Sequence, residues 1–463
     1  MAFMCASYYN VFVKVCFERR IMTGLIIVLA LFAAAIVICI ATGTTLIYAM
    51  AVSVIGFAAL AKSRGHSFKD IWEMAKPRLK EVWLILTIFF FIGILTALWR
   101  SSGTISFFVY YCVKVTPPAV FILTAFLLPA ILSYAIGTSF GVTATAGVIL
   151  ISIARLGGVS QVLTAGAIIS GAYFGDRCSP ASSCASLVAA VTGTELYSNL
   201  KTVRKATVLP LILTILFYGV LSLFDPLSQV DPHLLSTLKD SYNMSLLVIL
   251  PAAFMIILPL LKVPVKKAMA VSAVVAFLIT VFLQKYGFLE TLKACVLGYA
   301  PENADLAAIL NGGGIISMAE PAAIVTLTGI TTGILGGTGI LVPLQRKVAS
   351  LADKAGIFTA TCAVSAAASI TLCNQTVSVM MCKALMGDVY DEKASGKEEL
   401  AQDIYNSGVM IPVLVPWNIA GAIPLAMLGV GKIALLFAFH VYAVPICYGI
   451  FKKKILRIGE VIK

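Results

Sequence analysis

The sequence predicts an all-α polytopic membrane protein. Of its 463 residues, 60% are hydrophobic and 12% are charged, and the mean hydropathy is +1.00. A soluble domain of this size needs more polar residues to cover its surface. Apolar runs recur along the chain, and they do not alternate as barrel strands do. We therefore expect about 10–13 membrane elements, each long enough to enter the lipid bilayer as a helix.

Charge and motif content narrow the class of protein. The net charge is +13, but the basic residues lie in short stretches between apolar runs, which is typical of cytoplasmic loops and not of nucleic-acid binding. Lys14, Arg19 and Arg20 predict a cytoplasmic N-terminal stretch before an uncleaved first helix. Three histidines and 11 unpatterned cysteines give no reason to expect a zinc site or a disulfide framework.

The one match to an enzyme motif does not have the flanking structure or the partner residues that a catalytic site requires. The letters GTSFG at 137–141 match a nucleophile elbow, but no strand precedes them and no His–Asp pair accompanies them. There is no phosphate-binding glycine loop. We expect a transporter that is not an enzyme and has no cofactor. We place it in the cytoplasmic (inner) membrane of a bacterium, with a homodimer left open.

The two halves of the chain are related at an offset of 236 residues. At that offset Gly93, Gly103 and Pro180 meet Gly329, Gly339 and Pro416. Residues 62–80 hold six Lys/Arg and the equivalent 298–316 hold none, whereas 345–354 are more basic than 114–118. Since Lys/Arg mark cytoplasmic loops, the pattern predicts two inverted-topology repeats, 21–225 and 243–450, within one transporter domain covering 1–463. A chance distribution of charge is the alternative.

Four polar stretches predict interrupted helices at mid-membrane. Breaks are expected at 137–145 and 371–376, and re-entrant hairpins with their tips at Ser179-Pro180 and Pro416. Asp176 is the central residue, because a carboxylate in lipid is costly unless it is functional or paired; an ion pair with Arg177 is the structural alternative. The neutral ligands expected around one shared site are Thr138, Ser139, Thr143, Ser179, Ser182, Ser183, Asn374, Gln375, Thr376 and Asn418.

Two further charges lie in apolar surroundings. Arg100 follows Trp99, and Glu320 follows the glycine-rich run at 312–314. They are expected either to pair with each other across the repeat, or to leave Arg100 free to hold a substrate carboxylate with its planar fork.

Several motifs resemble the NhaC-type Na⁺/H⁺ antiporter family. They are GTSFGVTATAGV at 137–148, GAIISGAYFGDRCSP at 166–180, TGTELYSNLK at 192–201 and VPWNIAGAIPLAMLGV at 415–430, with weaker similarity at 101–111 and 312–318. The similarity extends over about 20–450. It implies exchange of Na⁺ against H⁺ and paired re-entrant hairpins, although some relatives exchange organic anions instead. The chain departs from the family at Ser183, where the resemblance implies an aspartate.

The sequence as a whole predicts a secondary active transporter. Na⁺/H⁺ antiport is favoured, with Asp176 alternating between a proton and Na⁺ while one repeat rocks against the other. The alternative is a Na⁺- or H⁺-coupled exchanger or symporter of a small organic acid or amino acid, in which Arg100 or the amides at the hairpin tips bind the carboxylate.

Overall fold

The computed structural model describes residues 23–460, except 40, 116, 228–231, 262, 304–305, 308–309, 339–343 and 393–395. The predicted cytoplasmic residues Lys14, Arg19 and Arg20 lie outside this part of the chain, as does Gly339. Over the described residues the fold is helical, and β structure is limited to one isolated bridge between Tyr299 and Gly312.

The first half contains α1 (Thr23–Cys39), α2 (Ile47–Ser63), α3 (Phe68–Ser101), α4 (Thr104–Val115), α5 (Phe121–Ile136), α6 (Ser139–Leu156), α7 (Gln161–Cys178), α8 (Ser183–Thr192), α9 (Leu196–Phe224) and α10 (Pro232–Ser241). The second half contains α11 (Leu246–Leu260), α12 (Val265–Leu283), α13 (Phe288–Leu297), α14 (Ile315–Gly337), α15 (Leu344–Ala355), α16 (Ile357–Leu372), α17 (Gln375–Glu392), α18 (Gly396–Leu414), α19 (Ile419–Leu428) and α20 (Phe439–Glu460).

Several of these helices have the length and composition of membrane spans. Among the described residues, five helices qualify outright, and three bent pairs raise the number to eight. Large apolar side chains such as Leu216 and Val220 of α9 face outward, as expected for a surface in contact with lipid. The fold is therefore that of a polytopic helical membrane protein, and the expected total of about 10–13 elements stays a prediction.

Helices α5 and α6 form a hairpin. Helix α5 runs parallel to α7, because Gly171 packs on Ala130 and Gly175 packs on Tyr134. Helix α6 runs the other way along α7, because Ser139 contacts Asp176 and Gly147 lies near Ile168. The chain therefore reverses at Gly137-Thr138. Gly137 has a φ of 77°, a left-handed conformation that glycine adopts without steric cost.

Helices α16 and α17 form a second hairpin. Three side-chain contacts join them in antiparallel register: Ser369 with Ser378 at 3.5 Å, Ser365 with Cys382 at 3.0 Å and Thr361 with Tyr390 at 3.0 Å. The reversal falls at Cys373-Asn374, where Cys373 has a φ of 51°. The two hairpin tips, Gly137 and Cys373, lie 236 residues apart in the sequence.

The stretches predicted as hairpin tips are instead interruptions in helices that continue in the same direction. Helices α18 and α19 meet at a bend of 49°. Helix α7 runs antiparallel to α9, since Ser170 meets Tyr218 and Arg177 meets Thr207. Helix α8 then continues along α9 toward the start of that helix, where Asn199 donates to Thr194, two residues after α8 ends. The chain therefore turns back at the stretches predicted as breaks, 137–145 and 371–376, and continues through the stretches predicted as hairpin tips. A proline such as Pro180 removes a helical N–H and interrupts a helix, but it does not supply the left-handed residue at which these chains turn back.

A framework of tightly packed helices lies beside the hairpins. The backbone of α3 at Gly93 accepts a hydrogen bond from Gly314 N at 2.8 Å, and Gly333 of α14 packs directly on Ala75. Trp99 of α3 also donates to Ser272 of α12 at 3.0 Å. Small residues permit this close backbone approach between membrane helices, and α3, α12 and α14 form one packed framework.

Candidate ion-binding site

Asp176 lies where the first hairpin meets the interruption of α7 and α8. Its side chain is 7% exposed. Ser182 Oγ donates to its Oδ1 at 2.8 Å and Ser139 Oγ donates to its Oδ2 at 3.0 Å. The structure thus brings together three of the residues predicted for the site. A carboxylate with two hydroxyl oxygens is the hard oxygen set that suits a small cation.

The local backbone places these three groups. Ser182 is the N-cap of α8, where its Oγ accepts from the N–H groups of Cys184 and Ala185 at 3.1 and 3.2 Å. The tip residue Gly137 packs against the backbone of Ala181 so closely that an added Cβ would lie 2.5 Å away. The hairpin tip and the helix interruption are therefore fixed against each other, with Asp176 between them.

The other predicted ligands of the first half serve mainly the backbone. Thr143 is buried and donates to Ser139 O at 2.8 Å, and Thr138 caps Gly141 N at 3.3 Å. Ser179 is buried and accepts from Ala181 N at 3.1 Å. Ser183 is exposed at the start of α8, next to Ser182 in sequence but on the outer surface.

The predicted residues of the second half form their own cluster at the second hairpin tip. Asn418 is buried and donates to Ser369 O at 3.0 Å, and Gln375 donates to Val409 O at 2.7 Å. Asn374 caps Thr376 N at 2.9 Å, and the Thr376 side chain is exposed. These amides are engaged by the backbone, and the cluster contains no carboxylate among them. Asn418 is an N-cap like Ser182, 236 residues earlier.

Tyr173 connects the two clusters. Its hydroxyl donates to Ala420 O at 2.6 Å, so α7 contacts α19 one turn before Asp176 and just after Asn418. Sequence analysis did not identify this tyrosine, because its role depends on which helices become neighbours. Its position in the motif GAYFGD, three residues before the carboxylate, was the available signal.

Arg177 does not pair with Asp176. Its guanidinium donates to Tyr405 O at 3.2 Å, to Thr207 Oγ1 at 2.6 Å and to Asn406 Oδ1 at 2.5 Å. An ion pair between Asp176 and Arg177, the structural alternative in the sequence analysis, is therefore not among the described contacts. Arg177 instead ties α7 to α9 and α18.

Arg100 and Glu320 lie apart from the Asp176 cluster and from each other. Arg100 is buried, donates to Thr96 O at 2.7 Å, and has no partner for its Nε. Glu320 is exposed and accepts a hydrogen bond from Thr45 Oγ1. The expected Arg100–Glu320 ion pair is not among the contacts of these two described side chains. Glu320 instead lines a cavity of about 570 Å³ that reaches Pro416 at the interruption of α18 and α19.

A charged cluster that sequence analysis did not identify lies at the start of α18. Lys452 of α20 contacts both Glu399 and Asp403. The sequence analysis gave no role to Glu399, Asp403 or Lys452. The carboxylates at positions 399 and 403, four apart on one helical face, were the missed signal.

Comparison with known proteins agrees with the resemblance in the motifs. The chain matches the model of the Na⁺/H⁺ antiporter family over residues 9–186 and 171–452. It is 25% identical to the Na⁺/H⁺ antiporter NhaC of Bacillus subtilis, over 85% of this chain and 89% of that protein.

Two further relatives carry different names. One is the malate-2H⁺/Na⁺-lactate antiporter of Bacillus subtilis, 26% identical over 83% of this chain and 85% of the relative. The other is the arginine/ornithine antiporter ArcD of Halobacterium salinarum, 27% identical over 80% of this chain and 79% of the relative. The match covers nearly all of the described helices, and the NhaC-type prediction is confirmed: the chain belongs to the Na⁺/H⁺ antiporter family.

Proposed function

We propose that this protein exchanges Na⁺ for H⁺ across the membrane, with Asp176 as the group that binds both ions in turn. The observation that supports this assignment is the buried Asp176 carboxylate, whose two oxygens accept hydrogen bonds from Ser139 and Ser182. A charge in lipid is expensive unless it has a partner or a function, and this one has hydroxyl partners but no cation among the described side chains.

The exchange follows from competition for one carboxylate. When Asp176 holds a proton, the two serine hydroxyls hydrogen-bond to a neutral acid. When the proton leaves, Na⁺ binds the anion, and the serine oxygens turn their lone pairs toward the cation. Because either occupant brings one positive charge, this site exchanges one Na⁺ for one proton and never holds both.

The halves are proposed to lie in opposite orientations in the cytoplasmic membrane of a bacterium. Support comes from the shared order of hairpin and interrupted helix in each half, from the equivalent positions of Gly137 and Cys373, and from the opposite distribution of Lys/Arg in the loops. The cavity beside Glu320 offers cations an aqueous approach to the interruption of α18 and α19.

Reconstituted liposomes test the proposal. An imposed Na⁺ gradient should move the internal pH in the absence of any organic solute, as an enclosed pH dye reports. Asp176→Asn keeps the size of the side chain and removes its charge, so exchange should be lost. Asp391→Asn removes an exposed carboxylate and should leave exchange intact. Full turnover in the Asp176→Asn protein would remove this residue from the mechanism.

Arg100 favours a second candidate, the exchange of a small carboxylate coupled to H⁺ or Na⁺. Its guanidinium is buried, and its Nε has no hydrogen-bond partner, which is costly unless a ligand supplies the missing acceptor. In the same liposomes, a pH response that appears only with an added carboxylate or amino acid, and that Arg100→Gln abolishes, would support this candidate over cation exchange.

A further inference from the structure

The first two turns of α18 hold two carboxylates against one ammonium group. Lys452 Nζ lies 2.6 Å from Glu399 Oε1 and also contacts Asp403 Oδ2. The Asp403 side chain is 0% exposed, that of Lys452 12% and that of Glu399 23%. The cluster therefore extends from a partly accessible carboxylate to a fully enclosed one.

The two carboxylates differ in how well they are satisfied. Asp403 Oδ1 accepts from the Tyr448 hydroxyl at 2.9 Å, and its Oδ2 accepts from Tyr390 as well as from Lys452. Glu399 has Lys452 as its described partner. Among the described residues, the thiol of Cys362 on α16 also faces the cluster, and it adds no positive charge.

The charges of this cluster do not cancel. Among the described side chains, two carboxylates and one ammonium leave one negative charge uncompensated, and burial makes an uncompensated charge expensive. Uptake of one proton removes that charge, and Glu399 is the carboxylate that water can reach. We propose that Glu399, Asp403 and Lys452 form a second proton-binding site, separate from Asp176, that takes up one proton from the side of the membrane facing the start of α18.

The position of the cluster connects it to the ion site. Tyr405 and Asn406 follow Asp403 within one turn, and their oxygens accept hydrogen bonds from Arg177, the neighbour of Asp176. A change of charge in this cluster therefore acts on the same helix segment that holds Arg177. The proton bound here sets the pH at which exchange proceeds, while Asp176 carries the exchanged ion.

Infrared difference spectroscopy on the purified protein in lipid tests proton binding directly. The Asp176→Asn background removes the signal of the ion site. In that background, lowering the pH should produce carbonyl bands of protonated carboxylic acids, and the band that belongs to the cluster should be missing from the Glu399→Gln protein. Glu398→Gln changes an exposed carboxylate one position away and should keep the band. An unchanged band in the Glu399→Gln protein would overturn the proposal.

A second variant, Lys452→Met, tests the proposal independently in case the Glu399→Gln protein misfolds. Lys452→Met retains both carboxylates but removes the ammonium that stabilises them, so the band should appear at a pH higher by about one unit or more. A band midpoint that does not move would count against the cluster as the site of protonation.

The transport assay separates this proposal from the function of Asp176. Glu399→Gln should shift the pH profile of Na⁺-driven exchange while leaving the apparent Na⁺ affinity within about twofold at a permissive pH, a change under half a kcal/mol. Asp176→Asn should abolish exchange at every pH. If the Glu399→Gln profile superimposes on those of the wild-type and Glu398→Gln proteins, the cluster has no part in setting the pH response.

Discussion

Removal of the Ser182 hydroxyl is the most direct test of whether Asp176 and its partners bind the ion. Two variants, Ser182→Ala and Ser182→Gly, remove this hydroxyl. Ser182 both donates to Asp176 and caps α8. Alanine removes both functions. Glycine removes the hydroxyl but is tolerated at an N-cap at a cost of only about a few tenths of a kcal/mol. The pair therefore separates ligation from capping.

The expected magnitude follows from the geometry. A hydrogen bond to a charged group contributes about 1.5–3 kcal/mol, which corresponds to roughly a tenfold to 150-fold change in an equilibrium constant. Both Ser182→Gly and Ser182→Ala should weaken apparent Na⁺ affinity by a factor in this range, since a cation ligand is lost and the proton becomes a stronger competitor. Only the alanine variant should lose in addition about 0.5–2 kcal/mol of stability through the lost cap.

Apparent Na⁺ affinity is measured from the Na⁺ dependence of dye-reported exchange, and stability from thermal unfolding in one detergent. Ser183→Ala is the matched control, because Ser183 is adjacent but exposed and should change neither quantity. If Ser182→Gly retained wild-type Na⁺ affinity, the Asp176 cluster would not be the place where Na⁺ binds.

Three other changes have defined expectations. Gly171→Ala would place a Cβ 2.2 Å from Phe126 O and should lower thermal stability by about 1–3 kcal/mol. Gly219→Ala, whose Cβ would meet no atom within 4 Å beyond its own stretch of helix, should not destabilise. Equal unfolding temperatures for the two variants would contradict the close packing of α5 on α7. Tyr173→Phe removes the hydrogen bond to Ala420 O and should slow exchange roughly twofold to tenfold, the equivalent of about 0.5–1.5 kcal/mol. Tyr197→Phe, at an exposed site, should leave the rate unchanged. Equal rates for the two variants would show that the bond to Ala420 O does not matter during transport. The lysine of Arg177→Lys cannot reproduce the three hydrogen bonds to Tyr405, Thr207 and Asn406, so this change should lower thermal stability by about 1–3 kcal/mol. Lys201→Arg, at an exposed position, is the control. An unfolding temperature equal to that of the control would contradict the assigned contacts.

The central carboxylate could be predicted because its signal is local. An aspartate flanked by glycine, serine and proline within apolar sequence is conspicuous wherever the helices lie. Ser139 and Ser182 were predicted as ligands for the same reason, and the structure places both at Asp176. The offset of 236 residues also corresponds to structure, because it relates the two hairpin tips and the N-caps Ser182 and Asn418.

The direction of the chain at each interruption could not be predicted in the same way. A proline and a glycine both break a helix, but only the φ of the turning residue decides whether the chain continues or reverses. Cys373 illustrates this limit, since its φ of 51° is rare for a residue other than glycine and leaves no mark in the sequence. The pairing of Lys452 with Asp403, 49 residues apart, likewise depends on which faces of α18 and α20 pack together.

The contacts between the halves limit how access to Asp176 can alternate. If one half rocked against the other, hydrogen bonds that join them would have to break: Tyr173 to Ala420 O, Arg177 to Asn406, Tyr405 to Ala185 O, Arg155 to Leu428 O and Tyr218 to Phe437 O. At about 0.5–1.5 kcal/mol each, this would cost several kcal/mol in every cycle. All five survive if both hairpins, both interrupted helices, α9 and the segment that carries Phe437 move as one body past the α3–α12–α14 framework. That motion instead breaks the bond from Thr332 of α14 to Leu372 O of α16. Motion of a mixed core, with elements from each half, therefore breaks fewer of these hydrogen bonds than the half-against-half rocking that the sequence predicts.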